Sequence, residues 1–140
     1  MLLKGKRIFM VEDNAGNLAV ATLYLERYGA TVKFVRWGND AVEVLRRNLP
    51  VDAILMDLML PGRISGYDVF QQIHECPDLA HIPVVAVSAS DPDIAMPRAA
   101  RLGFSGYISK PVSGNIAQHI ATVIGGKKVW AGDFNDFAEV

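Results

Sequence analysis

Four short polar groups interrupt an otherwise apolar chain: Glu12-Asp13-Asn14, Asp57, Ser88-Ala89-Ser90 and Lys110-Pro111. Each closes a run of apolar residues, and Asp57 closes the most apolar of them, Val51-Asp52-Ala53-Ile54-Leu55-Met56. If the fold brings these groups together, three carboxylates meet and repel, and at least one must have its pKa raised unless something compensates. A divalent cation removes the conflict. Oxygen donors without His or Cys select a hard ion, Mg²⁺ or Mn²⁺. Magnesium keeps several waters and favours one or two carboxylates plus phosphate oxygens, so such a metal implies a phosphoryl ligand. Lys110 is a point cation suited to a phosphate or to Asp57 itself. Ser88 offers a hydroxyl donor, and Ala89 leaves room beside it. An Asp carboxylate is a nucleophile for phosphoryl transfer, and Asp57 is the one placed to act.

The elements that must position these groups follow from the hydrophobic pattern. Arg7–Val11 reads as a first strand. Asn14 to Asn17 can cap a helix carrying Leu18, Ala21, Leu25 and Tyr28, closed by Gly29. Thr31–Val35 is β-branched and aromatic, a second strand. Ala41, Val42, Val44 and Leu45 give a second helix, stopped at Pro50. Ala53–Met56 is a strand buried on both faces, because its apolar run has no polar alternation. Ser65 caps a third helix (Tyr67, Val69, Phe70, Ile73), broken at Cys76-Pro77-Asp78. Pro83–Val87 is a fourth strand. Asp91-Pro92 opens a fourth helix ending near Leu102 and Gly103. Gly106–Ser109 is a fifth strand, and Ser113 opens a last helix with Ile116, Ile120, Val123 and Ile124 on its buried stripe. Strands alternating with helices predict a parallel sheet covered on both faces, with right-handed connections. In such sheets the site lies beyond the carboxyl ends of the strands, where Glu12, Asp13, Asp57, Ser88 and Lys110 all fall.

Composition bounds the rest. The 140 residues fit one domain, with 51% hydrophobic and 21% charged residues and a formal net charge of −1. That balance gives no support for binding nucleic acid or an anionic membrane. A lone cysteine, Cys76, excludes an intrachain disulfide and a Cys-based zinc cluster, and fits a reducing compartment. The N-terminus has no signal-peptide pattern and no apolar run reaches the roughly 20 residues of a membrane span, so the expected location is the cytoplasm. His74, His81 and His119 are scattered and form no metal trio.

The whole set resembles the receiver domain of two-component response regulators, of the single-domain, CheY-like kind. The matching pieces are Glu12-Asp13-Asn14 after the first strand, Asp57 followed by Pro61, Ser88-Ala89 after the fourth strand, and Tyr107 three residues before Lys110-Pro111. The resemblance covers about residues 5 to 125. It implies a flavodoxin-like, doubly wound five-stranded parallel sheet with five helices, a receiver domain at 1–126 and a tail at 127–140 without an effector domain. It implies that Asp57 accepts a phosphoryl group from a histidine kinase or phosphotransfer protein. Asp13 and Asp57 would bind Mg²⁺ with the Met59 carbonyl, and Glu12 mainly through water. Ser88, with Ala89 beside it, and Lys110 would receive the phosphoryl oxygens. Tyr107 would turn inward on activation, and the bond to Pro111 would be cis. Output would be contact with a downstream protein; a second copy of the chain is a candidate partner. The chain would assist its own phosphotransfer and dephosphorylation but is not expected to be an enzyme with an outside product. Two departures are visible. The family's glycine usually lies eight residues after the phosphoacceptor, whereas Gly66 lies nine after Asp57, so the loop Gly62–Ser65 is one residue longer. The switch hydroxyl is Ser88 where Thr is also common, a tolerable exchange.

Competing readings are weaker on the residues. Glu12 and Asp13 could serve the dipole of the first helix, which is compatible with metal binding. A degenerate receiver that binds partners without phosphorylation would not need the full acidic and lysine set. A phosphohydrolase of the haloacid-dehalogenase type usually carries a second Asp two residues after the first, where Met59 stands. A DNA-binding regulator lacks a helix-turn-helix segment and basic charge. In the tail, Trp130, Phe134 and Phe137 recur at spacings of four and three, so docking as one side of a helical turn, or as a short irregular segment, is expected.

Overall fold

The computed structural model describes residues 1–131 and, as strand backbone alone, 136–139. The elements run β1 (Arg7–Val11), α1 (Ala15–Arg27), β2 (Thr31–Val35), α2 (Ala41–Arg47), β3 (Ala53–Asp57), α3 (Gly66–His74), β4 (Val84–Ser88), α4 (Pro92–Leu102), β5 (Gly106–Ser109), α5 (Ile116–Ile124), β6 (Lys128–Ala131) and β7 (Asp136–Glu139). A 3-10 turn, Gly38–Asp40, leads into α2. The strand order is β2-β1-β3-β4-β5-β6-β7. After β2 the chain crosses to the other side of β1, so a crevice opens at the carboxyl ends of β1 and β3, where this topology places ligands.

Every residue of β3 and of β4 is buried, as their continuous apolar runs require. Strand residues alternate between two cores. Phe9, Val11, Ile54, Met56, Val84, Ala86 and Tyr107 face α2, α3 and α4. Ile8, Met10, Leu55, Val85, Val87 and Ile108 face α1 and α5. Local signals fix most helix ends. The Asn14 side chain accepts from the Asn17 N–H at 2.9 Å. Ser65 and Asp68 form a reciprocal capping box at the start of α3. Asp91 accepts from the Asp93 N–H at 3.0 Å with Pro92 in the first turn. Gly103 ends α4 at φ +105°, a conformation that suits glycine. The last helix begins later than expected: Ser113 accepts from the Asn115 N–H at 3.3 Å in a preceding turn, and α5 starts at Ile116.

The sheet has more strands than the sequence leads one to expect. Six strands are parallel, and β7 adds antiparallel to β6. The extra parallel strand is built from Lys128–Ala131, which pairs with β5. Trp130 therefore docks in a strand rather than on a helical turn. The reason is physical: without β6 the backbone donors and acceptors of β5 would be left at an open edge, and Val129 and Ala131 bury their side chains against the α5 core. Phe134 and the Phe137 side chain lie outside the described residues.

The long loop after β3 is closed at its base. The Gly66 N–H donates to the Leu58 carbonyl at 3.1 Å, while Pro61, Gly62 and Arg63 are exposed. The extra residue is thus accommodated outside, and α3 starts directly on the backbone of β3. A Cβ on Gly66 would lie 2.7 Å from Leu58 Cα. Gly66→Ala should therefore lower stability by about 1–3 kcal/mol, the range for overpacking. Urea unfolding reads it, and an unchanged midpoint would contradict the close approach.

Candidate functional site

Parallel pairing in register carries four strand ends to one rim. Val11 pairs with Met56 and with Val35, Asp57 with Val87, and Ser88 with Ser109. The residues that follow β1 and β5, and the last residues of β3 and β4, therefore converge. Lys110 Nζ lies 2.9 Å from Glu12 Oε1 and 3.2 Å from Asp57 Oδ2. Its stem crosses the end of β4, where the small Ser88 stands. Glu12 and Asp57 are 3% and 4% exposed, so these are buried charges, and buried charges persist when paired. The other Asp57 oxygen accepts from the Met59 N–H at 3.0 Å. Glu12 accepts from the Asn14 N–H at 3.1 Å.

Burial pushes the Asp57 carboxyl up to about 6; the Met59 N–H and the Lys110 charge oppose that, and Glu12 adds to it. Burial pulls the Lys110 ammonium down, but the hydrogen bonds and charges of Glu12 and Asp57 outweigh it, and its pKa rises above the ordinary lysine value. One ammonium is thus shared by two carboxylates, and negative charge is left over.

Asp13 completes the set. Carboxylate oxygens of Glu12, Asp13 and Asp57 lie within 4.8 Å of one another. Three hard oxygen donors with surplus negative charge fit a magnesium-type cation. Ser88 is fully buried, and its Oγ accepts from the Ser90 N–H at 3.0 Å. Ala89 is exposed. Tyr107 is fully buried, and its hydroxyl donates to the Ser90 carbonyl at 3.2 Å. The Lys110–Pro111 peptide bond is cis, and the Lys110 N–H donates to the Ser88 carbonyl at 2.8 Å.

Two contributors were not singled out from the sequence. Arg36 clamps the Asp13 carbonyl through two nitrogens, at 2.8 and 3.2 Å. Ser90 joins Ser88 to Tyr107 and places its hydroxyl 3.4 Å from the Met59 sulfur. Arg36 directly follows β2, whose end neighbours that of β1, and that position was a usable signal. Ser90 carries none beyond its nearness to Ser88.

Residues 8–121 match the family described as the response regulator receiver domain. The chain belongs to that family. It is 36% identical over 108 residues to the polar-differentiation response regulator DivK of Brucella ovis, covering 77% of this chain and 86% of DivK. It is 34% identical over 128 residues to Probable histidine kinase 6 of Oryza sativa subsp. japonica, with 79% of this chain covered. The aligned segment spans 13% of that kinase and 13% of the related Probable histidine kinase 4. Among solved structures, the receiver domain of a sensor histidine kinase from Pseudomonas aeruginosa PAO1 superposes with a TM-score of 0.75 at 31% identity, covering 87% of this chain and 99% of that one. That protein carries a magnesium ion coordinated in its active-site cleft. The signal receiver domain of a histidine kinase from Syntrophus aciditrophicus gives a TM-score of 0.75 at 30% identity, covering 87% and 92%. The chain is therefore a receiver domain of two-component signalling, a family that works with histidine kinases. Among the described residues, no helix is long and apolar enough to cross a membrane.

The raised Asp57 pKa has a signed consequence. A carboxyl whose folded pKa is raised contributes stability that is full below its unfolded pKa, about 3.8, and lost as pH rises through about 6. In chelator, the receiver should therefore lose on the order of 1–3 kcal/mol between pH 4 and pH 7 relative to Asp57→Asn. Adding Mg²⁺ should flatten that difference. Parallel melting curves for the two proteins that stay a constant distance apart would refute the assignment.

Proposed function

We propose that this receiver is a phosphorylation-controlled switch with Asp57 as its phosphoacceptor. The observation that carries the reading is the pairing of buried Asp57 with Lys110 beside two further carboxylates at the strand ends. An Asp57 oxygen forms the new bond to phosphorus as the bond to the donor histidine's nitrogen breaks, and the electron pair stays with that nitrogen. Lys110 already stands at the carboxylate and can turn to a phosphoryl oxygen; Ser88 offers its hydroxyl to another. Glu12, Asp13 and Asp57, with the Met59 carbonyl, would hold Mg²⁺. When bound, the ion supplies positive charge against the transferring group.

The donor is a histidine kinase or phosphotransfer protein, and the output is contact with a downstream protein or with a second copy. Nucleic acid is not a direct partner. Chemistry is confined to the chain's own phosphorylation and dephosphorylation, in the cytoplasm. The complete acidic and lysine set disfavours a binding module that works without phosphorylation.

Two outcomes are expected. With Mg²⁺ and acetyl phosphate, intact-mass spectrometry should show one phosphoryl adduct on the wild type and none on Asp57→Asn; equal labelling of the two would sink the assignment. Asp13→Ala should weaken Mg²⁺ binding by about tenfold or more, since one of the three charges that hold the ion is gone. Calorimetric titration reads this, and unchanged affinity would remove Asp13 from the site.

A further inference from the structure

In a five-stranded sheet β5 would be the edge, and Tyr107 would stand there with one flank open. Here β6 takes that flank. The in-register neighbour of Tyr107 is Trp130, which packs on the same cluster. Paired residues on adjacent strands stand side by side on one face, so Trp130 flanks Tyr107 on the side that an edge strand would leave open. Val129 and Ala131 are buried on the opposite face with α5, so β6 is anchored on both. Strand β5 is fitted to it: a Cβ on Gly106 would lie 2.6 Å from the Val129 carbonyl oxygen.

From Tyr107 a short series of bonds leads to the acidic pocket. Its hydroxyl holds the Ser90 carbonyl, and the Ser90 N–H holds Ser88 Oγ. The Lys110 N–H holds the Ser88 carbonyl. The turn after β4 is thereby fixed from both ends, and the setting of the Ser88 hydroxyl depends on Tyr107 staying inside.

We propose that β6 is a regulatory clamp: its pairing on β5 keeps Tyr107 inward and pre-sets Ser88, so that β6 pairing and occupation of Asp57 favour each other. The clamp rests on the reading of Asp57 as phosphoacceptor. The coupling is reciprocal by thermodynamic necessity. A filled pocket tightens β6, and a loosened β6 weakens the pocket.

The test uses the full chain with beryllofluoride and Mg²⁺ as the probe, monitored by amide exchange and by titration. In the wild type, the probe should slow exchange at residues 128–131. Gly106→Ala and, as a milder second variant, Trp130→Ala should speed that exchange and weaken beryllofluoride binding about fivefold or more, with circular dichroism unchanged. Unaltered exchange at 128–131 in the probe-bound wild type overturns the clamp. So does wild-type affinity in a variant whose β6 exchanges fast. If instead Asp57→Asn binds the probe as well as the wild type does, the phosphoacceptor reading itself fails, and the clamp with it.

Discussion

The structure depends on one shared ammonium. Lys110 lies between two carboxylates that the strand order forces together, Glu12 after β1 and Asp57 at the end of β3. Buried charges of one sign cannot share a rim without a counter-charge, so the fold is consistent only if β5 delivers a cation across β4. Several features serve that delivery. Ser88 at the end of β4 is small, and the backbone of Lys110 is tied to the Ser88 carbonyl. The pairing remains incomplete in charge, because Asp13 adds a further carboxylate within reach. The pocket therefore carries surplus negative charge among hard oxygen donors, which fits a cation of the magnesium type.

How much of this was legible follows from how each element is buried. β3 and β4 are covered on both faces, so their sequences are uninterrupted apolar runs, and the polar residue that ends each run marks the rim. Asp57 and Ser88 could be read for that reason, and Glu12, Asp13 and Lys110 because they follow shorter runs of the same kind. β6 could not. It is four residues long, begins with a lysine and has one intermediate residue between two buried ones, a pattern too short to separate from a helical turn. Its existence depends on the partner edge of β5, and above all on Gly106, whose missing side chain is uninformative until the neighbouring backbone is known. Arg36 was missed for a different reason: its place directly after β2 puts it at the rim, but its partner is the backbone carbonyl of Asp13, which no residue type reveals.

The loop after Asp57 shows how an irregularity can be visible while its effect is not. The spacing to Gly66 announces one extra residue. Where that residue goes is decided by the Gly66–Leu58 hydrogen bond and by the lack of room over the β3 backbone. With the base pinned, the added length is taken up in exposed Pro61–Arg63, and the Asp57–Met59 hydrogen bond is kept at 3.0 Å. A closed base makes loop length a surface property rather than a site property.

Whether such a pocket can drive a conformational change is a matter of magnitude. Reversing a two-state population from one part in a hundred to ninety-nine needs about 5.5 kcal/mol of differential interaction. A phosphoryl group adds about 1.5–2 negative charges, and each hydrogen bond to a charged group is worth about 1.5–3 kcal/mol. On the proposed phosphorylation of Asp57, contacts to Ser88 and Lys110 would together supply about 3–6 kcal/mol, before any cation is counted. The energy is useful only if the alternative state lacks those contacts. On the clamp proposed above Ser88 would meet that condition, since its hydroxyl is joined through Ser90 to Tyr107, a large side chain held in a close-packed core. With Trp130 beside it, β6 would then belong to the same two-state element as the pocket.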